Sequence, residues 1–411
     1  MDLFNTPQSR MEELSINSIL GADPLPQWPL VQSAEVKTII TRLKANKAPC
    51  EDFLPPELFK QNINWWAQLL AGLFNHINKA CSVPSGWKLS IIVPIFKKGD
   101  KADPRNYRPI SLIDITAKIY ARYLLDKVEE WAENNRIIKE EQAGFRQGYS
   151  TIDNAFILQH VIDKYSSLNR SLYVAFIDLS AAFDSISRGL LWRKFSMSNI
   201  DKRLLALLIA LYADSSVKVR LGNSGAASNG IASTRGVRQG CLLAPFCFNF
   251  YINDIVEYLK MKEYHGPKIM DRELNILIYA DDIVLLSTTP VGLRRSLQKL
   301  SHYCAENALT INKEKSKIMV FGKKTKVYNW HLDGHKVEQV RISKYLGLHF
   351  AASGAWSQHL KLSIAKADNA AQAIHKLCNH NYPGSLRPFL KVLKAKALYG
   401  AEIWGIKIWH W

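Results

Sequence analysis

Residues Ile276-Leu-Ile-Tyr-Ala-Asp-Asp-Ile-Val-Leu-Leu286 set two adjacent carboxylates, Asp281 and Asp282, between two apolar runs. The flanks are aliphatic and rich in β-branched residues, so each reads as a buried strand. The Tyr-Ala-Asp-Asp step then reads as the tip of a tight hairpin. An ionised carboxylate is costly to bury without compensation, and two side by side also repel. A divalent cation answers both problems, because Mg²⁺ takes carboxylate oxygens and keeps other positions for phosphate. The plain alternative is a turn with two solvated aspartates, and the apolar bracketing argues against it.

About a hundred residues upstream, Leu172-Tyr-Val-Ala-Phe-Ile-Asp178-Leu-Ser-Ala-Ala-Phe183-Asp184 repeats the pattern of a β-rich run ending in a carboxylate. The period then changes: Leu179, Ala182, Phe183 and Ile186 fit the start of a helix. A strand ending in Asp178 beside a hairpin carrying Asp281 and Asp282 would gather three carboxylates at one sheet edge. Such a set serves two Mg²⁺ ions about 3.5–4 Å apart in polymerases that use in-line phosphoryl transfer. Taken alone, Asp178 also suits a helix N-cap.

Other blocks surround these. Lys88-Leu-Ser-Ile-Ile-Val-Pro-Ile-Phe-Lys97-Lys98-Gly99 is followed by Asn106-Tyr-Arg108-Pro-Ile-Ser-Leu112 and Glu141-Gln-Ala-Gly-Phe-Arg-Gln-Gly148. After Asp178 come Gly236-Val-Arg-Gln239-Gly240-Cys-Leu-Leu-Ala-Pro245, the Tyr279-Ala-Asp-Asp282 hairpin and Tyr345-Leu346-Gly347-Leu348. In this order, over roughly residues 35–350, the chain resembles the reverse transcriptase domain of non-LTR (LINE-type) retrotransposons. The resemblance implies an α+β fold of right-hand polymerase architecture. It would comprise fingers, a palm whose antiparallel sheet packs on helices, and a partial thumb.

The resemblance also implies roles. Asp178, Asp281 and Asp282 would be the catalytic metal ligands for two Mg²⁺ ions, with Mn²⁺ as a substitute. Lys97, Lys98 and Arg108 would face the triphosphate, whose outer phosphates need cations besides the metal. Gln239 would lie near the incoming nucleotide, and Phe183 under its sugar, where a ring excludes a 2′-hydroxyl. Tyr279, Gly240, Tyr345, Leu346 and Gly347 would meet primer or template. For several of these the residues leave a second reading open: Lys98 as a solvated charge, Phe183 as core packing, and the Gly236–Gly240 stretch as an ordinary turn into a helix over Leu242–Ile255. Asp184 reads as structural or supporting. Partners would be an RNA template, a DNA primer and deoxyribonucleoside triphosphates, in the nucleus and cytoplasm. A relic that binds RNA without turnover, or a group II intron maturase-like enzyme, are the alternatives.

Composition agrees. The 411 residues carry 54 Lys and Arg against 36 Asp and Glu, a net charge of +18 that suits a polyanion partner. Residues 310–411 hold 17 of the basic and 5 of the acidic residues, so +12 of the excess lies there. The six cysteines show no Cys-x-x-Cys spacing, which argues against zinc and against a disulfide framework. No secretory leader is visible, and the longest apolar run, Leu204 to Ala213, is too short to span a bilayer.

Along the chain the reading is an irregular lead-in at 1–34, a helical N-terminal extension at 35–84, fingers at 85–170, palm at 171–340 and partial thumb at 341–411. Val36, Ile39, Ile40 and Leu43 have amphipathic helical spacing, and Pro55 and Pro56 suit a helix start. After Lys47-Ala-Pro49 the family usually has Gly-Pro-Asp-Gly; here Cys50-Glu-Asp-Phe53 stands instead. If that turn needs positive φ, it is strained in this chain.

Overall fold

In the computed structural model the two apolar runs around Asp281 and Asp282 are the strands Ile276–Tyr279 and Asp282–Ser287. They join Leu172–Asp178 and Lys317–Phe321 in a four-stranded antiparallel sheet. Its order is 317–321, 172–178, 282–287, 276–279. The structure describes residues 20, 25–220, 227–260, 266–322, 326–378 and 387–405. Most of the expected lead-in lies outside those residues, as do Trp409 and Trp411.

By its internal contacts the chain divides into two units, each discontinuous in sequence. The four-stranded sheet belongs to the unit built from residues 140–179, 255–305 and 311–411. Leu172 to Ile177 are all buried, so this strand is covered on both faces, as its unbroken apolar sequence requires. The helix Thr151–Ser167 supplies part of the cover. A reciprocal cap starts it: Ser150 Oγ accepts the Ile152 N–H, and the Asp153 carboxylate accepts the Ser150 N–H at 2.7 Å. Its Leu158, Val161 and Ile162 share one apolar cluster with Val174, Phe176, Val284, Leu286 and Met319. The hairpin Ile342–Tyr345 with Leu348–Ala351 adds Tyr345, Leu348 and Phe350 to the same cluster.

The other unit comprises residues 1–139, 180–254 and 306–310. Here Leu89–Phe96 pairs antiparallel with Tyr107–Leu112 and parallel with Ser216–Val219. The amphipathic stripe at Val36, Ile39 and Ile40 forms the helix Ser33–Thr41, with all three residues buried. Proline opens the next helix, Pro56–Gln61, and Ile63–Ala80 follows. An aromatic group knits these to the helix Ile115–Asn134: Phe74 lies 5.0 Å from Tyr120, whose hydroxyl donates to Asn78 Oδ1 at 2.8 Å. The ten-residue apolar run is the buried helix Lys202–Tyr212, capped by Asp201 on the Arg203 and Leu204 N–H groups. No helix among the described residues is long and apolar enough to cross a membrane. The fold is α+β, with an antiparallel sheet packed on helices, as expected.

Two local expectations change. The helix after Asp178 is a single turn, Ala182–Ser185. The carbonyls of Phe183 and Ile186, which a longer helix would use, instead accept the N–H groups of Val237 and Gly236. The expected helix over 242–255 is shorter, Ala244–Tyr251, with a separate Ile255–Leu259.

The Cys50–Phe53 turn does need a left-handed residue: Phe53 sits at φ +52 with 76% of its surface exposed. A non-glycine residue there costs about 1–2 kcal/mol, partly offset by the entropy that glycine loses on folding. Phe53→Gly is therefore expected to raise stability by about 0.5–1 kcal/mol in urea unfolding. Destabilisation would show that the exposed ring makes contacts worth more than the strain.

Candidate active site

Antiparallel register puts Asp178 directly opposite Asp282, and Tyr279 opposite Asp282 on its other side. Like charges facing one another across strands are unfavourable. Asp281 occupies the two-residue turn with Ala280, whose φ of +55 is left-handed. The three acidic residues of the sequence reading thus converge on one end of one sheet. The Asp178 N–H donates to Ser316 Oγ at 3.3 Å, and its carbonyl accepts the Asn312 N–H at 2.8 Å. Its carboxylate forms an ion pair with Lys315 at 3.3 Å.

The electrostatics follow from this crowding. Burial, then the charges of Asp281 and Asp178, push the Asp282 carboxyl up to about 6, against a smaller pull from Lys315. Among the described residues no group of three or more acidic, histidine or cysteine side chains is placed to hold a metal ion by itself. The donor set still fits a hard divalent ion. Such an ion needs only one or two carboxylates from the protein, with substrate phosphates and water supplying the rest. The mutual repulsion recorded at Asp282 is the load that such an ion would remove.

The residues expected near primer sort differently. Tyr279 is half-buried at the strand end, its hydroxyl made less acidic by burial and by neighbouring Tyr399 and Asp153. Tyr345 corrects the expectation: its ring is 4% exposed and packs 5.6 Å from Phe176, so it belongs to the core. Leu346 and Gly347, at φ +45 and +89, form the hairpin turn and are half-buried. Tyr399 holds that turn, donating its hydroxyl to the Leu346 carbonyl at 2.8 Å. Beside it lies a cavity of about 540 Å³ whose lining includes Lys344, Lys366 and Lys396. Part of the basic excess of residues 310–411 is concentrated there.

The residues assigned to nucleotide, and Gly240, fall in the other unit. Lys97, Lys98 and Arg108 lie exposed in or beside the hairpin of Leu89–Phe96 and Tyr107–Leu112. Burial lifts the Asp184 carboxyl to about 6, although Lys97 is close enough to favour its ionised form in part. Phe183 stacks on Phe248 at 4.8 Å and 26°. The Gln239 carbonyl accepts the Ser111 N–H at 2.8 Å, and a side chain at Gly240 would run into the Ser111 carbonyl. Two buried arginines, which the sequence reading assigned no role, fix this loop. Arg188 donates to the carbonyls of Gly236, Tyr212 and Ser233 at 2.6–3.1 Å. Arg238 donates to those of Trp87, Lys88 and Leu211 at 2.7–3.2 Å.

The raised Asp282 carboxyl gives a signed prediction. An acid whose folded value exceeds its ordinary 3.8 stabilises the fold only while protonated. The penalty is full above about pH 6 and fades as pH falls towards 4. Without divalent ions, Asp282→Asn should therefore stabilise the protein at pH 8 by about 1–2 kcal/mol after allowing for partial exposure. The gain should shrink by pH 4.5. Thermal melts of both proteins across pH check this, and a gain that grows on acidification would contradict it.

Residues 95–350 match the family described as reverse transcriptase (RNA-dependent DNA polymerase). A probable RNA-directed DNA polymerase from transposon BS of Drosophila melanogaster is 28% identical over 82% of this chain and 38% of its own length. The RNA-directed DNA polymerase from mobile element jockey of the same organism is 26% identical over 90% and 41%. The chain thus spans about two fifths of these relatives. A solved structure of apo telomerase from Candida tropicalis, truncated from its C-terminal domain, aligns with a TM-score of 0.48 and 13% identity over 73% of this chain and 59% of its own. With its carboxylates on one sheet edge and the family match running through most of its length, the chain belongs to the reverse transcriptase family.

Proposed function

We propose that this protein extends a DNA primer on an RNA template, as the polymerase of a non-LTR retrotransposon. The observation that carries the reading is the register that sets Asp178 opposite Asp282, with Asp281 in the adjoining turn. Burial and its acidic neighbours disfavour the ionised Asp282 carboxylate there, and a divalent ion would offset that cost.

Asp178, Asp281 and Asp282 would hold two Mg²⁺ ions. Bound there, such ions make the primer 3′-hydroxyl a better nucleophile and neutralise charge on the triphosphate. The remaining work falls to the chain's own residues. Lys97 and Arg108 offer cationic donors to the outer phosphates and would stabilise charge growing on the leaving group. Lys98, equally exposed, adds to the same field. Gln239 has its backbone tied to Ser111, which leaves its amide to meet the nucleotide. The Phe183 ring, oriented by Phe248, would lie under the sugar. Tyr279, Gly240 and the Leu346–Gly347 turn would contact primer or template. The lysines at the 540 Å³ cavity would follow the backbone of an RNA–DNA hybrid, which proteins grip by shape more than by base edges.

Two variants test this. Asp281→Asn should abolish primer extension on RNA in Mg²⁺ while template–primer affinity stays within a few-fold of wild type. An Asp281→Asn enzyme extending at near the normal rate would overturn the assignment, and a wild type that binds hybrid without extending it would mark a non-catalytic binder. Phe183→Val should improve ribonucleotide use by several-fold to a hundred-fold, the range open to about 1–3 kcal/mol of steric exclusion. Equal loss on both sugars with earlier melting would make Phe183 a packing residue only.

A further inference from the structure

The Glu141–Gly148 block has no assigned role, yet it lies against the catalytic hairpin. We propose that Gln142 is a positioning residue that holds the Ala280–Asp281 turn, and through it the metal-binding carboxylates, in place. The inference deepens the polymerase reading and rests on it.

The segment around Gln142 bridges in parallel to Ile278: the Ile278 N–H donates to the Glu141 carbonyl at 2.8 Å, and the Ala143 N–H to the Ile278 carbonyl at 2.9 Å. Asn154, 3% exposed on the Thr151–Ser167 helix, gives that same carbonyl a second donor at 3.0 Å. The block therefore continues the sheet past its edge strand, at the end that carries the aspartates.

Gln142 itself is 1% exposed. Its Oε1 accepts the N–H of Gly144 at 2.8 Å and of Ala280 at 3.0 Å. Ala280 is buried and lies in the turn beyond the last ladder pair, so its N–H needs a partner from elsewhere. Gln142 is that partner, 138 residues away in sequence. Gly144 completes the seat, because a Cβ there would run into the Ala280 backbone nitrogen and stand 3.0 Å from its Cα. Only a residue without a side chain lets the block come so close.

One further detail favours positioning over general stability. Two N–H donors fix which way the amide points, and this leaves Gln142 Nε2 buried with no hydrogen-bond partner among the described residues. An unpaired buried donor is unfavourable. A residue kept for stability alone would not carry one; a residue kept for its oxygen can.

The test compares Gln142→Met, which keeps length and loses the acceptor, with Gln142→Glu, which keeps two acceptor oxygens and loses the unpaired N–H. Amide hydrogen exchange at Ala280, Mn²⁺ affinity by electron paramagnetic resonance, kcat, and KM for template–primer are read for each. Gln142→Met should speed exchange at Ala280 and weaken Mn²⁺ binding and kcat by about 10–100-fold, the range for partners that orient metal ligands. KM for template–primer should hold, and Gln142→Glu, whose oxygens again accept the Ala280 N–H, should restore slow exchange there. Normal exchange and Mn²⁺ affinity in Gln142→Met would overturn the proposal. So would equal impairment of both variants in step with their melting temperatures. Should the wild type neither extend primers nor bind Mn²⁺, the polymerase reading fails, while exchange at Ala280 still decides whether Gln142 holds the turn.

Discussion

Everything at this site depends on one unfavourable interaction: carboxylates facing each other across neighbouring strands at the end of a buried sheet. The strand Leu172–Asp178 is covered on both faces, so Asp178 cannot retreat without unpacking apolar residues from Leu172 to Ile177. Asp282 is fixed between Asp178 and Tyr279 by the ladder. The rigid apolar sheet thus holds charges where they would not stay by themselves: burial, then the neighbouring carboxylates, push the Asp282 carboxyl up to about 6. A divalent cation bound there would turn that cost into affinity.

Some of the chain's backbone strain lies in the same blocks. Ala181 stands three residues beyond Asp178 at φ +46, Ala280 precedes Asp281 at φ +55, Leu346 opens the Tyr345 hairpin turn at φ +45, and Phe145 lies in the Gln142 block at φ +58. Each is a non-glycine residue in a region that costs energy, and such positions persist where surrounding structure over-determines them. Two of these positions are held from far along the chain: Gln142 takes the Ala280 N–H and Tyr399 ties the Leu346 carbonyl.

How much of this was legible in the sequence depended on the distance over which the signal acts. Asp178, Asp281 and Asp282 were readable because a charge at the end of an apolar run is anomalous within ten residues. The helices Ser33–Thr41 and Lys202–Tyr212 were readable from local periodicity for the same reason. Tyr345 was misjudged because a block shared with a family does not say which side chain faces inward, and Phe176 claims the ring. That the helix after Asp178 stops after one turn was not legible, because the carbonyls of Ile186 and Phe183 are taken by Gly236 and Val237, partners about fifty residues away. Gln142, Arg188 and Arg238 carried no local signal, since, Gly144 beside Gln142 apart, the partners of their side chains lie between 23 and 151 residues along the chain.

The central claim is that the carboxylates are held in mutual repulsion which a metal relieves, so the direct measurement is proton release on metal binding. Mn²⁺ is titrated calorimetrically at pH 6 in two buffers of different ionisation enthalpy, with wild type and Asp282→Asn. With the Asp282 carboxyl at about 6, roughly half a proton should leave the wild-type site on saturation, and close to none the variant. Saturation of the wild type with no proton released, or equal release from both proteins, would contradict the account.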